Sequence, residues 1–137
     1  MTIITRNFLL ARIVSATSRG PLMTRYRSIA VRMLQVLLAL FFAIQGIVKL
    51  TGSPSWISRF QAWGYPANSH LAVGLAEVVG AVLLLIPRFA RFGALLLLAI
   101  MIGATATHLI HGEPQVVTTV IVGALLALVL VKGSGSV

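Results

Sequence analysis

The chain has 137 residues, of which 58% are hydrophobic and only 9% are charged. Its mean hydropathy is +1.01, and a soluble domain, in which about 45–50% of residues are apolar, could not bury so much apolar surface. This excludes an ordinary soluble domain and predicts one membrane-embedded domain. The net charge is +9, but we expect it to set topology and attract anionic lipid, with no role in binding nucleic acid. No cysteine is present, which excludes disulfides and thiol chemistry by this chain alone.

Residues 1–29 form a basic, polar segment that contains Gly20-Pro21. The amino end of the chain carries six arginines: Arg6, Arg12, Arg19, Arg25, Arg27 and Arg32. We predict a weakly ordered cytoplasmic tail here and a short flexible tail at 133–137. A mitochondrial transit peptide is an open alternative for the amino end, since such peptides are also rich in arginine and serine and poor in acids. Met23 and Met33 are open alternatives for the start of translation.

Four apolar segments, at 30–50, 69–86, 92–110 and 115–131, are each long enough to cross most of a bilayer as a helix. They predict a four-span membrane domain over 30–132. Small residues repeat four apart within these segments, which favours close approach of helices. The glycines that we expect at helix contacts are Gly46, Gly80, Gly103 and Gly123.

The connection between the first two spans predicts a short helix. Pro54 suits a first helical turn, and Gly64 suits a helix end. Between them Trp56, Phe60 and Trp63 share one helix face. We interpret this face as a set of anchors at the membrane interface. A site at which a ligand stacks on the rings is the alternative.

The distribution of basic residues predicts the topology. With the amino end inside, the tail arginines, Arg88, Arg91 and Lys132 are all cytoplasmic, and only Lys49 and Arg59 lie outside. Four spans then place both termini in the cytoplasm and 51–69 outside. The predicted fold is all-α, an integral membrane four-helix bundle with a short interfacial helix between helices 1 and 2.

Glu77 lies in the middle of the second span, where an ionisable residue costs about 2.5–3.5 kcal/mol and normally faces a partner. Four other polar residues lie in the same outer half of the membrane as Glu77, namely Lys49, Gln45, His70 and His108. We therefore predict a polar cluster there. In a helix each Cα–Cβ bond tilts towards the amino terminus. The first helix runs outward and the second inward, so Lys49 leans towards the membrane centre, Glu77 leans towards the outer face, and the two side chains lean towards each other. This predicts a Lys49–Glu77 pair with His108 as a second partner. The pair could be purely structural, or Lys49 could extend to the interface instead.

His108 and His111 are three residues apart, as two metal ligands can be. We expect no metal site, because a third close ligand is missing. We expect His111 and Glu113 to be solvated in a turn.

Several short motifs occur in a recognisable order: GIVKLTG at 46–52, Phe60 with GYP at 64–66, LAEVVG at 75–80, IPR at 86–88, RFGA at 91–94 and TH at 107–108. Together they resemble the DoxX-like family of membrane proteins over about 32–131. The resemblance implies a four-helix integral membrane protein. It matches the family's recurrent pattern at Gly46, Lys49, Glu77, Gly80 and His108, and it does not include residues 1–29.

The resemblance implies less about activity, since the family takes its name from a subunit of a thiosulfate:quinone oxidoreductase and other relatives resemble assembly factors. This chain lacks the cysteine pairs of thiol-redox relatives. We expect a non-catalytic accessory or assembly subunit in the cytoplasmic membrane of a bacterium, with a membrane or membrane-associated protein partner. We expect no cofactor.

Two other functions stay open. One is a membrane subunit of a quinone-linked oxidoreductase, in which Glu77 and His108 bind the quinone head group. The other is a small-solute carrier, which the apolar inner half of the predicted bundle disfavours. A homo-oligomer is an open alternative for the assembly state.

Overall fold

The computed structural model describes residues 3–133, without the side chains of 16–21. Within this range the secondary structure is entirely helical, which confirms the predicted all-α class. The helices are α1 (Ile3–Leu50), α2 (Pro54–Ala62), α3 (Ser69–Leu85), α4 (Ala90–Ile110) and α5 (Val116–Gly133). The predicted flexible tail at 133–137 lies outside the described residues, apart from Gly133.

Three described stretches are long and apolar enough to cross a membrane: Leu22–Leu50, Ala90–Ile110 and Val116–Gly133. The helix α3 is also apolar, but it has only 17 residues. Large apolar side chains on these helices point outwards, for example Ile102 and Leu75, which are 64% and 57% exposed. Water would disfavour such a surface and lipid would not, so the protein is built to lie in a membrane.

Residues 3–29 form the first half of α1, a helical conformation that was not expected from the sequence, while weak order in this segment stays a prediction. Gly20-Pro21 lies inside this helix and does not end it. The described side chains of 3–15 and 22–30 are exposed. This half of α1 therefore depends on the helix propensity of its Leu, Ala and Arg residues, since it has little packing to stabilise it.

The four longer helices surround one core. The helix α1 packs against α3, α3 against α4, α4 against α5, and α5 against α1, while α2 packs against α3. Each longer helix contributes one fully buried large side chain, namely Phe42, Leu84, Leu97 and Leu126. These four side chains belong to one hydrophobic cluster between the helices.

The backbones of α1 and α3 touch at a pair of glycines. A Cβ added to Gly46 would lie 2.6 Å from the carbonyl oxygen of Gly74, and one added to Gly74 would lie 2.8 Å from that of Gly46. Neither distance leaves room for a side chain, and the nearest atom in each case is a backbone oxygen, which cannot move aside as the end of a flexible side chain can. Gly74 was not among the glycines predicted from the sequence, because it has no small partner four residues away in its own helix.

The other predicted packing glycines differ from one another. A Cβ on Gly80 would lie 2.6 Å from the side chain of Leu97, as expected for a close contact. Gly123 is looser, with Met101 Cβ 3.7 Å from such an atom. The prediction is wrong for Gly103, where no described atom lies within 4 Å of an added Cβ. That position faces open space.

Candidate functional site

Lys49 and Glu77 form a buried ion pair between α1 and α3. The ammonium of Lys49 donates hydrogen bonds to both carboxylate oxygens of Glu77, at 3.0 Å to Oε1 and 2.8 Å to Oε2. The two side chains are 6% and 3% exposed. Each residue follows a contact glycine by three positions, Gly46 in α1 and Gly74 in α3, so the close backbone approach brings the pair together. The structure thus contains the contact that the sequence predicts, while its role in function stays a prediction.

The helix α2 covers this pair with an aromatic ring. The Lys49 ammonium lies 4.2 Å from the centroid of the Trp56 ring, in a cation–π contact. Lys49 is only 5% exposed. The alternative in which Lys49 extends outwards to the interface is therefore not the arrangement in the structure.

Phe60 is the centre of an aromatic cluster at this end of the molecule. Its ring centroid lies 5.4 Å from that of Trp63, 5.6 Å from Tyr65, and 6.2 Å from both Trp56 and His70. Phe60 is 7% exposed, so it packs inwards. The structure places His70, which was predicted in the polar cluster, against Phe60 in this aromatic cluster.

Glu113 forms a second polar centre, which was not predicted from the sequence. Its Oε1 accepts a hydrogen bond of 3.0 Å from the indole N–H of Trp63, and its Oε2 lies 2.7 Å from Nδ1 of His108. The expectation that Glu113 is simply solvated is therefore wrong. The second partner predicted for Glu77 is corrected too, because the carboxylate that His108 Nδ1 contacts is Glu113.

A tight turn at Gly112 explains why Glu113 lies against the end of α4. Gly112 has a φ of +64°, a left-handed conformation that favours glycine. The N–H of Glu113 then donates to the carbonyl of His108 at 2.9 Å. A glycine directly after a helical segment is the usual signal of such an end, and it was available in the sequence.

The environment of Glu113 favours its charged form. Hydrogen bonds from Trp63 first and from His108 second lower the pKa of Glu113 below its ordinary value of 4.5. His111, the other residue of the turn, has Nδ1 2.8 Å from the carbonyl of Thr107. Within residues 3–133, no group of three or more His, Asp or Glu residues lies close enough to hold a metal ion.

A cavity of about 430 Å³ lies between these two polar centres. Lys49, Glu77, His108 and Gln45 of the predicted cluster line it, together with the rings of the aromatic cluster other than His70. Most of the remaining wall is apolar and includes Phe41, Ile100, Met101 and Val122. We call this space the outer cavity.

Polar residues at the start of α5 also line the outer cavity. The side-chain oxygen of Gln115 is buried and has no hydrogen-bond partner among the described residues. Thr119 accepts a hydrogen bond of 2.9 Å from Thr105. These residues were not predicted from the sequence, although Gln115, directly before α5, is followed by Thr118 and Thr119 at spacings of three and four.

Comparison with known proteins agrees with the earlier resemblance. The chain is 25% identical to the uncharacterized protein YdgD of Bacillus subtilis strain 168 over 108 residues, which cover 74% of this chain and 95% of the Bacillus protein. No solved structure matches the chain. The sequence model of the DoxX-like family matches residues 33–131, which include the Lys49–Glu77 pair and the whole outer cavity. The chain belongs to the DoxX-like family.

Proposed function

We propose that the protein crosses the cytoplasmic membrane four times and has both termini in the cytoplasm. The helix α3 packs between α1 and α4, which are both long enough to span. Its 17 residues rise about 26 Å, close to the hydrocarbon thickness of about 30 Å. The basic residues near the α3–α4 turn and at the end of α5 favour the cytoplasmic side.

We propose further that the protein is a non-catalytic accessory or assembly subunit that holds a small amphiphilic molecule in the outer cavity. The observation that carries this proposal is the buried side-chain oxygen of Gln115, which no described residue hydrogen-bonds, in an otherwise largely apolar wall. A buried polar atom without a partner costs about 1–3 kcal/mol. A ligand with an apolar body and one hydroxyl or N–H group would fill the cavity and satisfy this oxygen.

The pairing of the charged groups supports a role without catalysis. Lys49 is bound to Glu77, and His108 contacts Glu113. Arg59, which also lines the outer cavity, lies 5.5 and 5.8 Å from the centroids of two indole rings. Each ionisable side chain that the structure describes in the cavity wall thus has a partner that holds it, as expected of a binding site built for stability.

A subunit of a quinone-linked oxidoreductase is the second candidate, and His108 favours it. The Nδ1 atom of His108 faces Glu113, and the side chain also lines the outer cavity. Its other ring nitrogen is suited to hydrogen-bond a quinone oxygen, with the ring of Trp63 beside it at 5.4 Å between centroids. A quinone also has the apolar body that the wall favours.

Affinity purification of the full chain in mild detergent separates the two candidates, provided that both proteins and extracted small molecules are identified. The accessory role predicts a stoichiometric membrane or membrane-associated protein, whose cellular level falls when this chain is deleted, and no bound quinone. A stoichiometric quinone would favour the second candidate. Purification without any partner protein or amphiphilic molecule would contradict both.

A further inference from the structure

A second cavity, of about 480 Å³, lies at the end of the molecule opposite the outer cavity. Its wall is formed by the middle of α1, the turn between α3 and α4, and the last turn of α5. Five of the lining residues carry a positive charge: Arg27, Arg32, Arg88, Arg91 and Lys132. We call this space the basic cavity.

No acidic side chain of this chain can neutralise the basic cavity. The whole sequence contains only two acidic residues, Glu77 and Glu113. Both lie at the outer cavity, where Glu77 is bound to Lys49 and Glu113 contacts His108. The counter-charge for five neighbouring cations must therefore come from outside this part of the chain.

The wall of the basic cavity is held in place by hydrogen bonds. Arg32 donates to the carbonyl of Leu85, in the last turn of α3, at 2.7 Å. Its other terminal nitrogen donates to the side-chain oxygen of Gln35 at 3.1 Å, and Gln35 is itself buried. These bonds fix one cation between two helices. At least one cation of the cluster is therefore held in a defined position by hydrogen bonds, which a general excess of arginine near a membrane would not require.

The amino terminus of α4 opens into the same cavity. Ala90 and Arg91, in its first turn, line the wall. The residue before them, Phe89, provides no side-chain hydrogen bond to cap the helix, and the first turn has no acidic residue. The N–H groups of a first helical turn lack partners within the helix and favour an anion.

We propose that the basic cavity binds a phosphate group. This site does not depend on any ligand in the outer cavity. A phosphate oxygen can accept hydrogen bonds from guanidinium groups and from the N–H groups of a helix terminus at the same time. Phe89 and Phe92 flank the lining residues Ala90 and Arg91 in the chain and are 40% and 60% exposed, so their rings are available to acyl chains. The phosphate group belongs to a phospholipid or to free phosphate, and these sources differ in whether inorganic phosphate displaces the lipid.

The test compares two double variants of the full chain that lose the same charge. Arg27→Gln with Arg91→Gln removes two cations of the basic cavity and leaves Arg32 in place. Arg12→Gln with Arg25→Gln removes two exposed cations of α1 that do not line it. Binding of phosphatidylglycerol, phosphatidylcholine and inorganic phosphate to protein in neutral detergent is measured by native mass spectrometry and by the shift in melting temperature.

A phospholipid site predicts saturable binding of phosphatidylglycerol that inorganic phosphate does not displace. The cavity variant should bind about 30-fold more weakly, because one basic residue near an anionic lipid contributes about 1 kcal/mol, or about fivefold. The control variant should match the wild type. Displacement by inorganic phosphate, with the same loss in the cavity variant alone, would assign the site to free phosphate. Phosphatidylcholine also has a phosphate, but its choline balances the negative charge, so it should bind more weakly than the two anionic ligands. Equal losses in both variants, or no preference for either anionic ligand over phosphatidylcholine, would overturn the proposal.

Discussion

Lys49 and Glu77 meet because each lies three residues beyond a glycine at which α1 and α3 touch. Nζ of Lys49 is 2.8 Å from Oε2 of Glu77, and an added Cβ on Gly46 would be 2.6 Å from the carbonyl oxygen of Gly74. Close backbone contact and the ion pair are therefore parts of one arrangement. It places a charged pair in the wall of the outer cavity, with Trp56 above the ammonium.

Replacing one member of this pair should be much worse than replacing both. Lys49→Met leaves the Glu77 carboxylate buried without its partner, and we expect a loss of about 3–5 kcal/mol in the free energy of unfolding. Adding Glu77→Gln should recover much of that loss. A double-mutant cycle on detergent-solubilised protein measures the coupling, and losses that add within about 0.5 kcal/mol would show that the two side chains do not interact.

The glycine contact makes a separate prediction about packing. Gly46→Ala forces α1 and α3 apart, since the nearest atom in the way is the backbone carbonyl oxygen of Gly74, and should destabilise by about 1–3 kcal/mol. Gly103→Ala is the matched control, because nothing described lies within 4 Å of the added atom. It should change stability by no more than about 1 kcal/mol. Equal losses for both variants in thermal unfolding would contradict the packing at Gly46.

Acidification should weaken the contact of Glu113 with Trp63 and His108. The folded-state pKa of Glu113 is lowered by these hydrogen bonds, so their contribution to stability is fully present above the ordinary carboxyl pKa. It is lost as the pH falls through the lowered pKa. The measurement is the difference in melting temperature between wild type and Glu113→Gln. This difference should shrink in acid, and a difference that does not change with pH would contradict the assignment.

Much of this architecture could be predicted from sequence, because the signals are local. Long apolar segments bounded by turns predicted the helices, and Pro54 with Gly64 predicted α2. The Lys49–Glu77 contact followed from two features, a lone carboxylate in an apolar helix and the direction of helical side chains.

The remainder depended on tertiary contacts that one sequence does not contain. The turn at Gly112 brings Glu113 to His108, five residues earlier, but Trp63 lies 50 residues before Glu113, and only the tertiary fold places the two side chains together. In the sequence Gln115 is only the polar residue at the start of an aliphatic segment, but in the fold it lines the outer cavity. In residues 3–29 the sequence did not indicate a helix, because a basic, polar composition neither predicts nor prevents one.

The proposed topology has a direct test in reporter fusions. Fusions after Gly20 and after Lys132 should report the cytoplasm, and an insertion at Gly64, where the backbone has a φ of +80°, should report the outside. The physical reason is the concentration of arginine on one side of the proposed bundle. A carboxyl terminus on the outer face would be incompatible with four spans.

The central claim is that the outer cavity holds a small amphiphilic molecule, and filling the cavity tests it most directly. Gly103 lines the cavity and has open space around an added Cβ, so Gly103→Phe should occupy the ligand's volume and keep the fold. Ile102→Phe is the control, because Ile102 is 64% exposed and does not line the cavity.

Native mass spectrometry of protein released from mild detergent gives the measurement. We predict that the wild type and Ile102→Phe carry one small molecule per chain, and that Gly103→Phe has lost it with an unchanged melting temperature in ligand-free protein. The same molecule retained at equal occupancy by Gly103→Phe would contradict the assignment of the outer cavity as a binding site.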